Sequence, residues 1–171
     1  KFNEDGVLFA DSTFFSVLDF KLLKGDPKTA LVRPRSMILT EEYAKKYFGS
    51  QDPMGQKMIV EADTILYTVT GVVQDVPDNS HIKFDMLASM STYPGMANSQ
   101  NWVSHNFYTY IVVKDGTEKS VLQEKFQGMV TKYVGPQIQQ ILGYSIDDFR
   151  KAGNDFSYVL EPLKDIHLKG A

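Results

Sequence analysis

The stretch Ile65 to Val73, rich in β-branched residues, constrains this chain more than any other, because such side chains favour the pleated backbone of a strand. Lys57 to Val60 has the same texture, and Glu61 to Asp63 between them offers a polar turn, so the pair predicts a hairpin. Upstream, Ser36 to Leu39 reads as an apolar strand that runs directly into a helix over Thr40 to Phe48. Thr40 stands where an N-cap hydroxyl accepts a backbone N–H. Glu41 and Glu42 suit the positive helix end and Lys45 and Lys46 the negative one. Tyr43, Ala44, Tyr47 and Phe48 form one apolar stripe, and Gly49 offers the stop. Downstream, Pro77-Asp78-Asn79-Ser80 is a turn cluster, and His81 to Ala88 alternates as a third strand of the same sheet.

The flanks mix the two periods. Val7 to Ala10 is short and apolar, Asp11 or Ser12 caps a brief helix carrying Phe14, Phe15, Val17 and Leu18, and Gly25-Asp26-Pro27 is a turn. Residues 89–106 show little periodicity and read as a long loop. Phe107 to Val113 reads as a strand ended by Asp115-Gly116. A helix follows over Thr117 to Tyr133, with Leu122, Phe126, Met129, Val130 and Tyr133 on its apolar face and Gly135-Pro136 as its stop. Shorter helices are expected around Gln137 to Leu142 and Ile146 to Ala152, then a last strand over Phe156 to Leu160. A strand-rich middle between helix-bearing ends implies an α+β fold, with two lobes.

At 171 residues and 43% apolar, the chain is long enough to bury a core. Its 18 basic and 21 acidic residues are dispersed, which argues against nucleic acid as a partner, since phosphate binding needs a basic surface. There is no cysteine, hence neither a disulfide framework nor a thiolate metal site. Apolar runs such as Ile111-Val112-Val113 fall far short of the ~20 residues that cross a bilayer. The opening at Lys1 carries neither a start methionine nor a secretory signal, so the chain is expected to be part of a longer protein.

The residues that carry chemistry do not assemble along the sequence. His81, His105 and His167 are far apart, with none of the helical spacings that set two metal ligands on one face. Residues 49–57 resemble a phosphate loop only superficially: the glycines are one residue too far apart, Gln56 stands where the lysine belongs, and Pro53 removes a donor. Asp147-Asp148 and Glu41-Glu42 are adjacent pairs at helix starts, where carboxylates act as caps. No catalytic residue, cofactor site or metal site is therefore expected. The cluster Met86, Met90, Met96 and Trp102 offers adaptable apolar side chains and an aromatic anchor, and Met90, Tyr93, Met96 and Trp102 are the expected partner contacts.

Several phrases resemble the periplasmic core domain of MacB-type, FtsX-like ABC-transporter permeases, in the version common in Bacteroidetes-type bacteria. They are Ala10-Asp11-Ser12-Thr13-Phe14-Phe15, Phe20-Lys21-Leu22-Leu23-Lys24-Gly25-Asp26-Pro27, Leu39-Thr40-Glu41 and Ala44-Lys45-Lys46-Tyr47-Phe48-Gly49. Further on come Asp52-Pro53-Met54-Gly55-Gln56, Val69-Thr70-Gly71-Val72-Val73, Val76-Pro77-Asp78-Asn79-Ser80-His81 and Pro162-Leu163-Lys164-Asp165-Ile166-His167-Leu168. Their order and spacing over nearly the whole chain make the resemblance specific.

The resemblance implies an extracytoplasmic domain over 1–171 with two lobes: a βαβ-like porter lobe from 1–33 with 105–171, and a strand-rich sabre lobe from 34–104. It implies a place on the periplasmic face of the bacterial inner membrane, between the first two membrane helices of a multi-pass permease. The implied partners are a cytoplasmic ABC ATPase acting through that permease, a second permease subunit, and a periplasmic or outer-membrane protein. The domain itself would catalyse nothing and would relay ATP-driven conformational change to a cargo or partner. The alternatives are a free-standing periplasmic ligand-binding or lipoprotein-chaperone domain, and a hydrolase whose site assembles only in three dimensions.

Overall fold

The computed structural model describes residues 6–60 and 65–166. The chain forms two compact units, Lys1–Ser99 and Gln100–Ala171.

The first unit is built on strand β3 (Ser36–Thr40), all five residues of which are buried. An uninterrupted apolar run suits a strand covered on both faces. β3 lies between β5 (Ile65–Val73), to which it is parallel, and β6 (Met86–Ser89), to which it is antiparallel. β1 (Val7–Ala10) runs parallel to β6 on its far side, and β2 (Leu22–Lys24) runs antiparallel to β5. The resulting mixed sheet has the order β1-β6-β3-β5-β2. β4 (Lys57–Val60) pairs antiparallel with the start of β5, from Lys57↔Thr68 to Val60↔Ile65, which is the expected hairpin. The polar turn expected at Glu61 to Asp63 lies outside the described residues.

Helix α1 (Phe14–Val17) is the brief helix after β1; the Asp11 carboxylate accepts from Thr13 N at 2.8 Å, just ahead of it. Helix α2 (Glu41–Phe48) follows β3 without a loop. The Thr40 hydroxyl accepts from Tyr43 N at 3.4 Å, and Asp75, beyond β5, accepts from Glu42 N at 2.9 Å. Two of the helix's orphan N–H groups are thereby satisfied. Gly49, at φ +60°, ends the helix. Ala44 is buried, and Tyr43, Tyr47 and Phe48 pack on a core that contains Met37, Leu39, Tyr67 and Val69.

Parallel pairing of β3 with β5 slips once: Met37 faces Val69 but Ile38 faces Gly71, leaving Thr70 as a bulged residue. The Thr70 hydroxyl reaches the Ala30 carbonyl at 2.7 Å and so ties the 25–35 segment to the sheet. Gly25 has φ +96°, and a Cβ there would stand 2.4 Å from the Thr70 carbonyl oxygen, so only glycine fits.

Three expectations about this unit change. The strand expected over His81 to Ala88 is confined to Met86–Ser89, and its four residues are all buried instead of alternating, so both of its faces are covered. The expected lobes do not coincide with the compact units. β1 and β2, from 1–33, hydrogen-bond to β6 and β5, from 34–104, so ladder pairing joins those two stretches in one unit. Met86, grouped with the loop methionines, is a core residue at 3% exposure.

The second unit centres on a long helical path: α3 (Pro94–Ala97) closes the first unit, and then α4 (Lys119–Met129) leads through a π turn (Val130–Val134) into α5 (Gly135–Leu142). The stop expected at Gly135-Pro136 does not occur. Pro136 lies in the first turn of α5, where its missing N–H costs no helical bond. α6 (Ile146–Lys151) is capped by Ser145, whose hydroxyl accepts from Asp148 N at 3.2 Å. The core is Val130, Val134, Ile138 and Ile146, with Trp102, Val103, Phe149, Phe156 and Tyr158 packed on it. Of the expected apolar face, Val130 is buried, Leu122, Phe126 and Met129 are half-buried, and Tyr133 is exposed.

Neither strand expected here forms among the described residues: Phe107 to Val113 and Phe156 to Leu160 are irregular. Propensity yields a strand only when a neighbour supplies the ladder, and Tyr108 and Val112 stand 93% and 71% exposed.

Candidate functional site

The four expected partner contacts fall in both units. Met90, Tyr93 and Met96 follow β6 in the first, each half-buried. Tyr93 packs edge-to-face on Phe9 of β1, ring centroids 5.4 Å apart. This segment is stitched to the 31–35 loop by hydroxyls. Ser89, fully buried, donates to Leu31 O at 2.7 Å; Ser91 donates to Val32 O at 3.2 Å; and Arg35 N donates to Thr92 at 2.9 Å. Arg35 carries φ +60°, a strained conformation for a non-glycine residue that this last bond helps to hold. Sequence reading passed over Ser89, Ser91 and Thr92 as loop residues; a small polar cluster next to an apolar strand was the only signal they offered.

Beside this seam an open groove of about 690 Å³ runs between the 25–36 segment and a wall made by the turn at Met54 and Gly55 with residues 68–70 of β5. Ala30, Val32, Met54 and Val69 make its walls mainly apolar, and Arg33 and Ser36 add polar groups.

Trp102 belongs to the second unit and has a structural part there. Its ring stacks on Tyr133 at 4.5 Å, with Lys132 Nζ 4.9 Å from the other ring's centroid. Its N–H donates to Gln137 Oε1 at 2.9 Å, and its carbonyl accepts from the Tyr158 hydroxyl at 2.5 Å. Burial pushes the Tyr158 phenol above its usual range.

The titratable residues weighed for chemistry stay apart. His81 is half-buried, His105 stacks on Phe156 at 5.6 Å, and His167 lies outside the described residues. Among the described residues, no three His, Cys, Asp or Glu side chains come together as a metal site. Glu41 and Glu42 occupy the first turn of α2, and Asp147 and Asp148 that of α6. The Asp148 carboxyl is held below its usual range by the Ser145 hydroxyl and by Lys151. Residues 49–57 form a turn strapped to the sheet: Gly55 N donates to Val69 O at 2.8 Å, and Asp52 pairs with Lys24 at 2.9 Å. The Lys24 bond, joined by Met54 N, lowers the Asp52 carboxyl. No helix among the described residues is long and apolar enough to cross a membrane.

These features define an α+β domain whose distinctive parts are packed surfaces and seams. Residues 2–129 match the MacB-like periplasmic core domain, and the chain belongs to that family, which forms periplasmic domains of ABC-transporter permeases. Among solved structures, it is similar to a domain ascribed to a permease protein from Porphyromonas gingivalis, with 26% identity and a TM-score of 0.62. That match covers 74% of this chain and 58% of the other, so the chain spans less than two thirds of that structure. The periplasmic region of MacB from Actinobacillus actinomycetemcomitans aligns over 86% of this chain and 64% of that one, at 15% identity and a TM-score of 0.44. No curated protein matches the sequence.

Proposed function

We propose that this chain is the extracytoplasmic part of an ABC-transporter permease and that it relays ATP-driven conformational change to a cargo or partner protein on the periplasmic side, with no catalysis of its own. The observation that carries this reading is membership of the MacB-like periplasmic core domain family over residues 2–129. Relay of this kind needs a surface whose presentation differs between two states, and the energy comes from ATP hydrolysed by a cytoplasmic partner. Flanking helices of the parent permease would hold the domain at the inner membrane, and a second permease subunit would complete the transporter.

The segment carrying Met90, Tyr93 and Met96 is the favoured partner contact in the first unit. Methionine adapts to varied partners, and the hydroxyl seam beneath fixes the backbone that presents it. Trp102, stacked and hydrogen-bonded on both its backbone groups, is half-buried and would be the contact residue of the second unit.

The test is fractionation of the native gene product with an antibody raised against this domain. A protein much longer than 171 residues that resists carbonate extraction from the inner membrane is the expected result. A soluble periplasmic protein of about this length overturns the reading in favour of a free-standing binding domain.

A further inference from the structure

Two glutamines of the second unit make the same pair of bonds. Gln137 donates through Nε2 to Gln100 O at 2.6 Å and accepts through Oε1 from Trp102 N at 2.9 Å. Gln123 donates through Nε2 to Tyr158 O and accepts through Oε1 from Leu160 N at 2.7 Å. In each case one side-chain amide engages the carbonyl of a residue and the N–H of the residue two further on. An extended strand turns those two groups toward the same neighbour, and a primary amide carries the donor and the acceptor that a neighbouring strand would supply.

The surroundings of the two clamps differ. At Gln137 the clamped stretch enters a turn closed by Ser104 N to Asn101 O at 3.4 Å, so the amide anchors a bend. At Gln123 the clamped stretch has the marks of a strand. Phe156 and Tyr158, two residues apart, both pack on the core and meet edge-to-face at 5.6 Å, while Val159 between Tyr158 and Leu160 points outward at 73% exposure. Phe156 to Leu160 contains no charge. Such a stretch without a ladder is a template for another strand, and its own copy is a chemically suitable partner. Asp155 and Glu161 flank it, and in antiparallel self-pairing about Tyr158 they come opposite one another, so their repulsion is a second barrier that salt weakens.

We propose that Gln123 stands in for a neighbouring β-strand along Phe156 to Leu160 and thereby guards this edge against strand pairing with a second copy of the chain. The guard is local: one side chain of α4 occupies the two backbone groups from which a ladder would start.

The experiment is sedimentation velocity over a concentration series on the chain and its variants, with far-UV circular dichroism as the folding control and amide exchange at Leu160 as the local readout. Gln123→Leu is expected to keep its helical signal, to exchange Leu160 faster when dilute, and to associate with rising concentration, more strongly at high salt. Adding Val159→Lys, a charge on the outward face of that edge, is expected to restore the monomer. Gln127→Leu is the control, since that amide bonds to Arg150 at 3.3 Å, and it is expected to behave as the parent chain. If Gln123→Leu loses its fold, Gln123→Met is read instead, an uncharged side chain of similar length that removes both bonds. The proposal is overturned if the folded Gln123 variant stays monomeric over the same range, or if its association survives Val159→Lys or is matched by Gln127→Leu.

Discussion

The first unit joins distant segments through a shared ladder, whereas the second ties its irregular segments to its helices through single side chains. In the sheet, β3 is bonded along both edges, and the side chains it carries, Met37, Ile38 and Leu39, are fully buried. In the second unit, four buried residues make the core, of which Val130 and Val134 are fully buried, and the peptide segments around it are tied by Gln123, Gln137 and Tyr158. A ladder spreads its bonds over many residues, so the first unit is vulnerable mainly through its packing. A side-chain clamp concentrates its bonds, so the second is vulnerable through single polar groups.

Ile38→Ala is the most damaging change this contrast predicts. It empties a site at 0% exposure and is expected to cost about 2–5 kcal/mol, read as an earlier loss of sheet signal in chemical denaturation. A loss below 1 kcal/mol would break the comparison, because the sheet would then not depend on its packed centre. Next comes Gln137→Leu, which strips partners from Trp102 N and Gln100 O and, since water can reach both, is expected to cost about 0.5–1.5 kcal/mol. Trp102 is the sole tryptophan, so its fluorescence reports this unit directly, and the variant is expected to shift its emission to the red. An unchanged spectrum and midpoint would show that the clamp contributes nothing. Thr40→Ala removes one of the two caps of α2 and is expected to cost about 1 kcal/mol, less if Asp75 compensates. The double variant with Asp75→Ala sharpens the point, since the two losses are then expected to exceed their sum.

The smallest effect is acid-dependent. Asp52 in the first unit and Asp148 in the second both have carboxyls below the ordinary 3.8, chiefly through the Lys24 bond and the Ser145 hydroxyl respectively. A folded-state value below the unfolded one means that the contribution is present above the unfolded value and fades as pH falls through the folded one. Both groups are exposed, so Asp52→Asn and Asp148→Asn are each expected to flatten the acid limb of the stability curve only slightly, as thermal melts between neutral and strongly acid pH would show.

Elements whose signals are local were legible. The cap at Thr40, the stop at Gly49 and the stripe through Ala44 bound α2 within a residue, and the β-branched texture found β4 and β5. The resemblance phrases, which are mostly caps, turns and buried aromatics, identified the family that residues 2–129 match. Of the expected contact residues, Met90, Tyr93 and Met96 lie on one segment, whereas Trp102 is engaged in packing whose partners, Tyr133, Gln137 and Tyr158, come from as far as 56 residues away. No window along the sequence could have shown that.

By itself, then, the sequence determined the α+β character, the position of the central strand, helix and hairpin, and the family, because periodicity, capping and turn chemistry act over a few residues. Tertiary structure alone decided which strands share a sheet, and it brought β1 and β2 into register with β6 and β5. It also decided that Phe107 to Val113 and Phe156 to Leu160, strand-like in composition, form no strand among the described residues. A strand is a relation between two segments, so its existence rests on the neighbour and not on the residues that would compose it.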